Sequence, residues 1–110
     1  MTNAEFVVVL VTAASPEDAT RIGRALVEER LAACANVVGP ITSVYRWQGA
    51  VEEASEHLML VKARATDFDR IVARVHEMHA YDVPEIIALP IRDGSPAYLA
   101  WLAESTSRES

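Results

Sequence analysis

The chain predicts an α+β fold: one antiparallel sheet in the order β-α-β-β-α-β, with a short helix at the end. Three observations lead there. Two runs, EFVVVLVT (Glu5 to Thr12) and EHLMLVKAR (Glu56 to Arg64), are apolar on both faces in their middle, as central strands are. The other two strand segments each carry a proline, Pro40 and Pro90, which cannot donate to a ladder and so belongs at an edge or a bulge. Two stretches with apolar residues at helical spacing separate these strands. Two β-α-β halves of similar length pack most simply as a single sheet with both main helices on one face, the ferredoxin-like arrangement.

Each element has a local cause. After the first strand, Ser15-Pro16-Glu17-Asp18 announces a helix: serine accepts from free N–H groups, proline is pre-set for the first turn, and the acids complement the dipole. Ala19, Ile22, Leu26 and Ala33 extend the apolar stripe, which puts the helix end at about Ala33. Val37-Val38-Gly39-Pro40 begins an edge strand that resumes from Ile41 to Trp47, with Ser43, Tyr45 and Trp47 on one face. Gln48-Gly49 marks a turn. Thr66-Asp67-Phe68-Asp69 opens the second helix with a cap and early acids, and Phe68, Ile71, Val72 and Val75 form its stripe. Pro84 keeps Val83 out of helical conformation. Glu85 to Ile91 is the fourth strand, Asp93-Gly94-Ser95-Pro96 turns the chain, and Ala97 to about Glu104 is the last helix. From Ser105 the chain is polar and is expected to fray.

A length of 110 residues with 51% hydrophobic content fits one domain with its own core. The formal charge of −6 and a single lysine among ten basic residues exclude the basic stripe of a nucleic-acid binder. One cysteine, Cys34, allows no internal disulfide, and the N-terminal apolar run is too short for a signal peptide or a membrane span. A cytoplasmic protein without membrane contact is the expectation. The segment from Ile41 to Ala65 reads as a hairpin longer than a small sheet needs, with Tyr45 and Trp47 on its edge. Exposed edges are normally paired or blunted, so the hairpin is expected to pair with a neighbouring subunit.

Several blocks, taken together, carry a resemblance. ERLAACAN (Glu29 to Asn36), SVYRWQG (Ser43 to Gly49), the strand with Glu56 and Lys62, HAYDVPEI (His79 to Ile86), PIRDG (Pro90 to Gly94) and YLAWL (Tyr98 to Leu102) resemble the CutA divalent-cation-tolerance family, in order, from about Val7 to Leu102. The resemblance implies a ferredoxin-like homotrimer paired through extended hairpins and related in architecture to the PII signalling proteins. It also implies copper or another divalent cation as ligand, with no organic cofactor. Copper ligation in the family uses a cysteine late in the first strand and two consecutive histidines before a proline-tyrosine. Val11, Met78 and His79 stand at those places here, and the turn reads HAY.

MHAYDVPEI (Met78 to Ile86) is therefore where a metal would be sought, with His79 as ligand and His76 and Met78 as helpers. An imidazole beside a thioether suits a soft ion, and His76 lies one turn before His79. Adjacent residues on a helix point about 100° apart, so Met78 and His79 can act together only if the helix has ended. His79 reads equally as a residue that caps the helix or lies at a subunit contact. Cys34 reads as a packed thiol. Tyr45, Trp47, Glu56, Lys62, Tyr81 and Glu85 form a second set. They are either interface residues with satisfied charges or the wall of an inter-subunit cleft for a small anionic or zwitterionic ligand. No phosphate loop, HExxH, CxxC or nucleophile elbow is present, so no catalytic residue is named.

Overall fold

The computed structural model describes residues 4–108. Its elements are β1 (Phe6–Ala13), α1 (Pro16–Glu28), β2 (Cys34–Trp47), β3 (Ala50–Arg64), a 3-10 turn (Ala65–Asp67), α2 (Phe68–Met78), β4 (Ile86–Pro90) and α3 (Pro96–Ser105). The sheet runs β2-β3-β1-β4 with every neighbour antiparallel. The two doubly apolar runs are central and the two proline-bearing strands are the edges, as the sequence predicts. The pairing of β2 with β3 slips between Val38 and Ile41, where Gly39-Pro40 forms a bulge. Gly39 is needed there because a Cβ would overlap the His57 ring.

The register sorts the two faces. Val7, Val9, Val11 and Ala13 point the same way as Met59, Val61 and Ala63, and α1 and α2 cover them with Ala19, Ile22, Leu26, Ile71 and Val75. The opposite face carries Val8, Leu10, Leu58, Leu60, Ile87 and Leu89. One end of it is covered where Leu102 of α3 closes over Phe6 and Ala33, and at the other end Thr12 and Glu56 are buried. Ile87 and Leu89 remain about half exposed, at 49% and 50%.

α1 stops at Glu28 rather than near Ala33. Arg30 adopts a left-handed φ of 59°, while its N–H bonds Val27 O and the Leu31 N–H bonds Leu26 O. This is the Schellman termination. It turns the chain so that Ala33 N–H reaches Lys62 O, and Ala33 lies under α3 instead of on the α1 stripe. The Ser15 cap of α1 forms as expected, its Oγ accepting from the Asp18 N–H at 3.1 Å. Asp67 makes no such cap bond; its carboxylate binds Arg70 and Arg108.

β2 and β3 continue past the sheet as a two-stranded ribbon closed by Gln48-Gly49. Both turn residues have positive φ, the conformation that matches the twist of a two-residue hairpin. The ribbon lengthens the molecule to 46 Å against 31 and 22 Å on its other axes. The expected fraying from Ser105 does not occur through Arg108. Thr106 is buried and accepts from Arg64, and Arg108 donates to Asp67 and to Arg30 O. Glu109 and Ser110 lie outside the described residues.

Candidate functional site

Where the ribbon leaves the sheet it faces the connection between α2 and β4, and a groove of about 750 Å³ opens between them. Tyr45, Trp47, Glu52 and Glu56 border it from the ribbon; Tyr81, Asp82 and Glu85 border it from the connection. The alternation of a strand explains the first group, since Tyr45 and Trp47 share a face. Pro84, buried, and the end of α2 at Met78 explain the second, because the chain leaves helical conformation at His79 and bends through residues 80–83 before β4.

Glu56 is 7% exposed, and one of its oxygens accepts from the Tyr81 hydroxyl at 2.9 Å. Burial first, then that hydrogen bond and the Glu56 charge, push the Tyr81 phenol up to about 12. Tyr81 therefore stays a neutral donor at physiological pH. The lining holds four carboxylates, Glu52, Glu56, Asp82 and Glu85, and no lysine or arginine among the described residues. None of the four makes an ion pair among the described residues.

Five of the six residues expected in a cleft meet here; Lys62 does not. It lies opposite Cys34 and Val8 on the uncovered sheet face, where its ammonium donates to Asn36 Oδ1. The described lining of the groove within this chain thus carries no ammonium. Glu52 and Asp82 are the carboxylates that pattern reading did not single out for the cleft. Asp82 was within reach, being part of HAYDVPEI, whereas Glu52 becomes relevant only once the ribbon register sets it opposite Tyr45.

His79 follows the end of α2 with extended backbone. Its Nε2 is 2.7 Å from Thr12 O, and its Nδ1 receives the Tyr81 N–H at 3.1 Å. A carbonyl can only accept and an N–H can only donate, so these contacts suit the tautomer with the proton on Nε2 and the Nδ1 lone pair accepting. The imidazole also packs against the Tyr81 ring, 4.6 Å between centroids, which holds the connection against β1. Because α2 has ended, helical geometry does not separate Met78 from His79. They part for another reason: Met78 packs against the core cluster that contains Val11, while His76 stays exposed on α2. Val11 itself is fully buried. Among the described residues no three histidine, cysteine, aspartate or glutamate side chains converge to hold a metal ion. The described residues therefore present no ready three-ligand chelate. Cys34 is partly buried, with Sγ 3.6 Å from Asn36 Oδ1.

A family model described as CutA1 divalent ion tolerance protein matches residues 7–105. The divalent-cation tolerance protein CutA of Thermus thermophilus is 54% identical over 99 residues, covering 90% of this chain and 96% of that one. The chloroplastic protein CutA of Arabidopsis thaliana is 45% identical over 91% of this chain, which spans only 55% of that protein's length. A solved structure of the Thermus thermophilus divalent cation tolerance protein superposes with a TM-score of 0.90 at 53% identity, covering 93% of this chain and 99% of the other. Sequence blocks, strand order and three-dimensional likeness agree, and the chain belongs to the CutA1 divalent ion tolerance family.

Proposed function

We propose that this chain acts as a cytoplasmic homotrimer in the response to divalent cations, taking up copper or another divalent ion where subunits meet. The observation that carries the assembly is the uncovered sheet face. Val8, Leu10, Leu58, Leu60, Ile87 and Leu89 form a continuous apolar surface, and the projecting ribbon beside it exposes Val44, Tyr45, Trp47 and Val51. Contiguous apolar surface of this extent is characteristic of an interface. Three copies facing inward would cover the sheets and pair the ribbons.

Metal uptake is assigned to the assembly because no three candidate ligand side chains converge among the described residues of one chain. His79, with His76 and Met78, remains the first ligand set to test, since release of the Thr12 contact would free Nε2. Native mass spectrometry with copper, on wild type and His79→Ala, is the measurement. Loss of copper from the trimer of the variant supports the role. Equal uptake by both removes His79 from it.

A second reading is favoured by the groove. Tyr45, Trp47, Glu56, Tyr81 and Glu85 lie together along it, and a small ligand bound there at a junction of subunits would make the protein a PII-like signalling module. A metabolite screen by thermal shift tests it, because a ligand of the folded state raises its melting temperature.

A further inference from the structure

We infer that His57 is an acid-sensitive pin at the root of the ribbon: its neutral ring seats the bulge of β2, and protonation unseats the ring and loosens the ribbon.

A missing partner singles out this residue. His57 Nδ1 is the one buried side-chain nitrogen or oxygen without a hydrogen bond among the described residues. On β3 it points to the helix side with Met59 and Val61, opposite Ala13 of β1. On β2 the pairing slips between Val38 and Ile41, which sets Gly39 and Pro40 against it. The ring covers Gly39 so closely that a Cβ there would overlap its Cγ, Cδ2 and Nε2. It fills the space where the ribbon leaves the sheet. The groove and the apolar face assigned to neighbouring subunits lie on the other side.

Neutral imidazole can leave one nitrogen as a bare acceptor, whereas imidazolium donates from both. A proton on Nδ1 would be a buried N–H without an acceptor, on a charged ring. The charged groups around this end of the sheet do not offset it. β1 and β2 set only Ala13 and the Gly39-Pro40 pair against the ring. On β3 itself, Glu56 points to the other face and holds Tyr81. The first turn of α1, which packs over β3, carries Glu17 and Asp18; Glu17 is exposed and Asp18 pairs with Arg21. At the end of α2, His76 and Glu77 are exposed and His79 meets Thr12 O. No carboxylate makes an ion pair with His57 among the described residues. A released imidazole takes up a proton as pH falls through about 6.5, and the seated ring has no place for it. The root of the ribbon is therefore held above that range and loosened below it.

Hydrogen exchange by mass spectrometry at about pH 7.5 and about pH 5, corrected for intrinsic rates, tests the pin. In the wild-type protein, ribbon amides from Thr42 to Ala54 should lose about fivefold or more of their protection at the lower pH, relative to α1. His57→Leu keeps the bulk and removes the proton site, so its ribbon should keep its protection at both pH values. His57→Gln provides a second neutral side chain if the leucine variant does not fold. His76 and His79 are present throughout, and their titration cancels from the comparison. Equal loss in the wild type and either variant overturns the inference. So does a wild-type ribbon that loses no more protection than α1, a result that decides the matter without any variant.

Discussion

Asp67 stands at the entrance to α2, where a capping carboxylate is expected, yet it serves a tertiary purpose. It is buried at 1% exposure and takes 2.8 Å hydrogen bonds from Arg70 and Arg108. Burial alone would raise its pKa; the bonds and charges of Arg108 and Arg70 outweigh that and hold it below the ordinary value of 3.8. A depressed folded pKa means that its stabilisation is complete above the unfolded value and disappears as pH falls through the folded one. Asp67→Asn should cost about 2 kcal/mol near neutral pH, less than a fully buried pair because both guanidinium groups reach water. Urea unfolding from pH 2 to 6 should also lose part of its acid dependence in that variant. Tyr81 gives a second residue-scale prediction. With its phenol pushed up to about 12, Tyr81 should give a late step in alkaline ultraviolet titration, beside Tyr98, whose phenol burial also raises. Tyr81→Phe should remove that step, and Glu56→Gln should bring it back toward the ordinary range.

The end of α1 is set by backbone geometry that apolar spacing does not encode. Ala33 continues the periodicity of Ala19, Ile22 and Leu26, yet Arg30 turns left-handed and the Schellman bonds end the helix at Glu28. Glycine adopts this conformation freely and arginine does not. Arg30→Gly should therefore stabilise the fold by about 1 kcal/mol, measured by thermal or urea unfolding. The Arg30 carbonyl that receives Arg108 is retained in that variant. The strands were far more legible. Unbroken β-branched runs marked the centre, prolines marked the edges, and Gln48-Gly49 marked the hairpin. These signals are local, and the register only had to honour them. The partners of His79, the location of Lys62 and the anchoring of Thr106 and Arg108 all depend on contacts between residues distant in sequence. A pattern within one element carries no information about them. The residues along the groove were recognisable by type, whereas their meeting within one chain, and the absence of a base among the described lining residues, followed only from the fold.

At the scale of the whole molecule, helices cover one face of the sheet and leave most of the other apolar. Ile87 lies on that second face, so its replacement distinguishes a lone subunit from an assembly. On a lone subunit Ile87→Asp is a surface change, worth within about 0.5 kcal/mol. In a trimer it sets like charges into the shared interior and should lower both mass and melting temperature. The ribbon makes a related point, because its exposed Val44, Val51 and Trp47 gain burial only from a neighbour. Light scattering of the wild-type protein at micromolar concentration tests this most directly. The account predicts a particle of three times the 12.1 kDa chain mass. A stable particle of one chain mass, unchanged in Ile87→Asp, would contradict it.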